Sequence, residues 1–207
     1  MAKTSSLPED PAGRHRDVAA RFTALVQGVT DWDAPTPVPD WAARDVVRHL
    51  VEWFPGFIES GSDVRLRRGP SVDDDPVGAW QAHASSVQAV LDDPAAAAGT
   101  FSNPHTGELP VDQATDRFYT SDVFLHTWDL ARSTGQDDAL DPSTCAQMLA
   151  GMKPMEELIR ASGQYGPAVA VAEDASAQDQ LLGFIGRDPA WHPRPADSQR
   201  PSGQQRG

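Results

Sequence analysis

Apolar residues return every three or four positions along most of this chain, and polar or proline-rich breaks separate the runs. Val18, Phe22, Leu25, Val26 and Val29 recur at helical spacing behind Asp10-Pro11. Proline suits a first helical position, because the N–H it lacks would have no partner there, so the pattern predicts helix one over about 11–27. The stretch DWDAPTPVPDW that follows is too rich in proline to be helical and predicts a loop whose Trp32 and Trp41 cover the end of a bundle.

Helix two, about 43–60, has the widest apolar face: Val46, Val47, Leu50, Val51, Phe54, Phe57 and Ile58, with His49 at its border. Asp75-Pro76 opens helix three, which runs to about residue 92 with Trp80, Ala84, Val87 and Leu91 inward and His83 on the same side. Turn residues then fill DDPAAAAGTFSNPHTGELP, which reads as a long crossover connection with one short possible strand. Helix four covers about 111–132 and stops at Gly135, a residue suited to the left-handed conformation that ends helices. Its inward positions include Phe118, Tyr119, Asp122, Val123, Leu125, His126 and Leu130. Asp141-Pro142 opens a fifth helix with Met148, Leu149, Met152, Met155 and Leu158 on its apolar side, and about 174–185 forms a shorter sixth. From His192 onward Pro, Ser, Gln and Arg predominate, the composition of a disordered tail.

Four helices with a buried face predict an all-α fold, a four-helix bundle over about 11–135 with a helical extension over about 141–191, in a single domain 1–191. A formal charge of -13 argues against nucleic acid as a partner, since phosphate binding needs a basic surface. The N-terminal MAKTSSLPEDPAG lacks an apolar signal segment, and no run is long enough to cross a bilayer, so a cytoplasmic location is expected. Cys145, a lone cysteine, cannot form an internal disulfide and reads as a small buried residue on a helix.

Two segments then change the picture from fold to chemistry. DVVRHLVEW, beginning at Asp45, and DVFLHTWDL, beginning at Asp122, each place a histidine four residues after an aspartate beside an apolar stripe. Positions i and i+4 share a helical face, and a single such pair is ordinarily a surface interaction. Two on separate core helices are different, because burying a carboxylate and an imidazole without a partner costs several kcal/mol. A divalent metal satisfies one carboxylate and two imidazoles together, and a mixed nitrogen–oxygen set suits zinc, nickel or iron(II). Three protein ligands would leave a position open for water or substrate. Asp45 sits in the first turn of helix two, where its charge is favourable by itself, and reads as structural. Asp129 and Glu52 have ion-pair readings with Arg132 and Arg48.

DWAARDVVRHLVEW, GELP, DVFLHTWDLARSTG and YGPAVAVAEDASAQDQLLGFIGRDPAW together resemble the actinobacterial metal-binding proteins related to mycothiol-dependent maleylpyruvate isomerase, in the DinB-like superfamily. That resemblance implies a DinB-like bundle with a metal held by His49, Asp122 and His126. The isomerase has glutamate where this chain has Asp122, and it carries a larger C-terminal α/β domain that is not matched here. The implied activity is that of a metal-dependent, thiol-using enzyme, an isomerase or S-transferase acting on small electrophilic molecules. Mycothiol would be the cosubstrate, and a thiol made acidic by the metal would add to the substrate. A non-catalytic metal-binding or ligand-sensing bundle, as a homodimer, is the competing reading. His83 and Tyr119 are candidate catalytic groups, each with an ordinary core role as its alternative, and His105 reads as part of an exposed turn.

Overall fold

Aspartate–proline pairs set several of the helix starts, as the sequence leads one to expect. In this computed structural model, which describes residues 6–104, 106–161 and 163–193, Asp10 Oδ1 accepts from the Gly13 N–H at 2.7 Å at the start of α1, Pro11–Gly28. Asp75 does the same for Gly78 at 2.8 Å at the start of α3, Pro76–Asp92, and Asp141 for Thr144 at 2.7 Å at the start of α7, Pro142–Met152. Each cap satisfies an N–H that the helix leaves without a partner and is worth about 1 kcal/mol. Helix α2, Ala43–Gly61, starts differently: Asp45 reaches back to accept from the Ala42 N–H at 2.9 Å, which agrees with its reading as a helix-end charge.

Helix α6, Ser121–Thr134, completes the bundle. Helices α1 and α2 each pack against both α3 and α6, which closes a four-helix ring around Phe22, Leu50, Phe54, Trp80, Tyr119 and Trp128, all fully buried. Gly135 ends α6 with φ +67°.

Three expectations need correction. Helix four is not uniform: α5, Val111–Ala114, passes into a π-helical segment, Thr115–Thr120, before α6 begins. The wider turn re-phases the helix just ahead of Asp122 and turns Tyr119 into the core, and periodicity cannot reveal it because both halves keep an apolar side. The crossover holds a short helix α4, Pro94–Ala97, and an antiparallel hairpin of β1, Thr100–Asn103, and β2, Gly107–Pro110, rather than one strand. The fifth helix breaks after Met152, where Pro154 cannot donate to the Ala150 carbonyl; a 3-10 turn leads into α8, Glu156–Ala161. That break leaves Met155 and Leu158 exposed, instead of on a buried face.

The last helix, α9, spans Ala177–Phe184, begins at a Ser176 cap three residues later than expected, and packs on α7. Its Leu181 and Leu182 are fully buried. Gly186 follows with φ +84°, and a Cβ there would lie 2.9 Å from the Gly166 backbone, so both conformation and close approach call for glycine. This turn delivers Arg187 back toward α6. The expected tail falls outside the described residues apart from His192 and Pro193.

Candidate metal centre

Helices α2 and α6 run side by side, and the borders of their apolar faces meet at His49, Asp122 and His126. One ligand atom from each lies within 4.8 Å of the other two. His49 Nε2 is 3.0 Å from Asp122 Oδ2, and His126 Nε2 is 3.5 Å from Asp122 Oδ1. A tetrahedral zinc with bonds of about 2.1 Å separates its donors by roughly 3.4 Å, close to the two aspartate–histidine spacings. Two imidazole nitrogens and one carboxylate also form the donor set that such an ion takes.

His126 is held more tightly than His49. Its Nδ1 lies 2.9 Å from Asp129 Oδ2, and Asp129 accepts from Arg187 Nε at 2.8 Å and Nη2 at 3.1 Å. A carboxylate can only accept, so Nδ1 carries the proton and the lone pair of a neutral ring sits on Nε2, facing Asp122. Burial opposes charge on His126, but Asp122 and Asp129 outweigh it and hold the pKa above its ordinary value. Burial likewise pushes the Asp129 carboxyl up, yet His126 and Arg187 together bring it below the usual carboxylate range.

Aromatic rings pack against the ligands. The Trp41 ring stacks on His126 at 5.6 Å and lies 5.1 Å from His49, and the Trp53 ring stacks on His49 at 6.0 Å. Trp53 Nε1 donates to Asp122 Oδ2 at 3.0 Å. Trp41 is aimed by a tight loop: Asp40 takes φ +64°, and the Trp41 carbonyl accepts from Thr36 at 3.0 Å. The His49 side chain stays 31% exposed and that of Asp122 21%, which leaves the centre open on one side.

His83 and Tyr119 are not part of this group. Both are buried, and His83 has Phe54, Trp80 and Tyr119 as ring neighbours. His15 is buried beside them, with Nδ1 3.1 Å from Thr120 Oγ1 and its ring 5.8 Å from Tyr119. Burial lowers the pKa of His15 to about 4 and of His83 to about 3, so both rings are neutral at pH 7. The Tyr119 hydroxyl is raised well above its ordinary value, by burial first and then by the charge of Asp122. His105 lies outside the described residues. Cys145 is buried on α7, away from the group, as expected.

Sequence reasoning missed the roles of Trp53, Asp129 and Arg187. Asp129 was paired with Arg132 on proximity, but Arg132 bridges to Asp138 at 2.9 Å instead. Nothing local pointed to Arg187. The pKa of Tyr165 is raised by burial and then by Asp122, with Arg187 opposing. A groove lined by Arg14, Thr120, Ser121, Thr144 and Met148 shares no residue with the metal group.

The mycothiol maleylpyruvate isomerase N-terminal domain matches residues 15–131, a span that contains all three candidate ligands. The chain belongs to this family. Its mostly helical fold is that family's DinB-like domain. Two proteins of Mycobacterium tuberculosis, one from each of two strains and both called uncharacterized, are 30% identical over 189 residues, covering 86% of this chain and 98% of theirs. The likeness to them therefore continues past the part matched by the mycothiol maleylpyruvate isomerase N-terminal domain. No solved structure matches the chain. Among the described residues no helix is long and apolar enough to cross a membrane.

Proposed function

We propose that this protein is a metal-dependent enzyme that uses a low-molecular-weight thiol, mycothiol in the first instance, on small electrophilic molecules in the cytoplasm, as an isomerase or S-transferase. The observation that carries this reading is the convergence of His49, Asp122 and His126 on a partly exposed face walled by Trp41 and Trp53. The family name supplies the thiol and the isomerase class, which come to this chain by likeness alone.

A divalent cation held here would lower the pKa of a thiol at its open position. The chain's own residues account for the rest. His126 presents Nε2 because Asp129 holds the Nδ1 proton, and Asp122 is kept in place by the Trp53 indole. Trp41 and Trp53, packed against the ligand rings, offer flat apolar surfaces to a planar, unsaturated substrate. Cys145 is no substitute for an external thiol: burial and Asp141 push its pKa up to about 12.

The test is turnover by protein purified with its metal, using mycothiol and other small thiols against a panel of unsaturated acids and alkylating electrophiles. Thiol-dependent conversion with about one metal per chain supports the proposal. Metal retained without any thiol-dependent turnover would leave a ligand-sensing role in its place.

A further inference from the structure

We infer that Arg187, from the C-terminal extension, is a positioning residue for the metal centre, acting through Asp129 on His126. This inference rests on the reading of His126 as a metal ligand.

Asp129 is 1% exposed inside α6. A carboxylate that deep costs several kcal/mol unless its lone pairs and charge are met. His126 supplies one N–H, and as a metal ligand it is a neutral ring, so it meets one lone pair and none of the charge. Arg187 meets the rest, with Nε on Oδ1 and Nη2 on Oδ2. The two-pronged contact matters because it fixes the carboxylate in plane, which a single ammonium contact would not do. With Oδ1 held by Nε, the carboxylate cannot rotate away from Nδ1, and the imidazole cannot turn Nε2 off the site. No other basic side chain among the described residues pairs with Asp129.

Delivery of Arg187 depends on the whole extension. Its N–H bonds to the Leu182 carbonyl at 2.8 Å, closing the end of α9, and Gly186 gives the left-handed turn against Gly166. Arg187 lies 58 residues along the chain from Asp129 and outside the span that defines the family, 15–131. The bundle thus carries the ligands, and the extension orients one of them.

Metal affinity of the full-length protein tests this, read by competition with a chromophoric chelator, together with the visible spectrum of the cobalt(II)-loaded form. Arg187→Gln and Asp129→Asn should each weaken zinc binding about 10–100-fold, the usual effect of losing a partner of a ligand. Each should also shift the cobalt bands. Arg187→Lys, which keeps the charge but not the fork, should fall between wild type and Arg187→Gln. The double variant should be no weaker than Asp129→Asn alone, because both changes break one path. Arg16→Ala is the control, since Arg16 pairs with Asp92 on the exposed surface between α1 and α3 and touches neither Asp129 nor the extension. It should leave affinity and spectrum unchanged. Wild-type affinity and spectrum in Arg187→Gln, additive losses in the double variant, or an equal loss in Arg16→Ala would overturn the inference. Absence of tight metal binding by wild type would instead overturn the metal reading itself. Arg187→Lys keeps the test decisive should Arg187→Gln fail to fold.

Discussion

Trp53 and Asp122 are joined by a hydrogen bond from the indole Nε1 to Oδ2 at 3.0 Å, and the same oxygen lies 3.0 Å from His49 Nε2. One oxygen of the candidate acidic ligand is therefore fixed by an aromatic wall of the site. Trp53→Phe keeps a ring in place and removes only the donor. It should weaken metal binding by roughly tenfold, measured by chelator competition, with little change in thermal stability. Unchanged affinity would mean that the indole only packs.

Among the three candidate ligands His126 is the most enclosed, and its removal leaves the others without a common focus. Elemental analysis should find about one metal per chain in wild type and almost none in His126→Ala or His49→Ala. Since metal binds the folded and not the unfolded chain, chelation should lower Tm in wild type and not in these variants. Equal metal content in wild type and His126→Ala would remove the site assignment.

The neutral histidines of the core predict an acid-sensitive fold. An exposed histidine takes up its proton near pH 6.5, whereas folded His15 does so at about 4 and His83 at about 3. Between these values the unfolded state binds more protons. Stability must therefore fall as pH drops below about 6.5 and stop falling on this account below about 3. The loss is on the order of a few kcal/mol for each ring. Urea unfolding of metal-free protein from pH 7.5 to 4.5 measures it. His83→Gln should flatten the curve, and an unaltered slope in that variant would show that His83 is not responsible.

Gly186 occupies a turn that few other residues could adopt. Gly186→Ala meets both a positive φ and a 2.9 Å approach to the Gly166 backbone, and should cost at least about 1–3 kcal/mol in denaturant unfolding. If Arg187 orients His126, the same variant should also bind metal more weakly than wild type.

Cys145 should be inert in the native protein. Burial and Asp141 hold its pKa near 12, so a disulfide reagent at pH 8 should label it only on unfolding. Rapid native labelling would show that α7 opens readily.

Sequence alone determined where the main helices start and that Asp122 and His126 share a face, because both depend on local rules; His49 joins them in the sequence reading only through the family resemblance. Aspartate–proline caps and apolar spacing define where α1, α3 and α7 start, and an i, i+4 relation puts Asp122 and His126 on one face whatever surrounds them. Asp45 was legible as a helix-end charge for the same reason. Tertiary structure decided which partner each buried group takes. Arg132 stands three residues from Asp129, but the docking of α9 on α7 brings Arg187 instead, and Arg132 turns to Asp138. His15 sits among charged neighbours in the chain, and only the packing of α1 against the π-helical segment buries it beside Thr120 and Tyr119. Trp41 reads as a lid on the bundle end, and its loop bends it over the metal centre. Periodicity gives the face on which a side chain lies; the group it meets there depends on how distant elements pack.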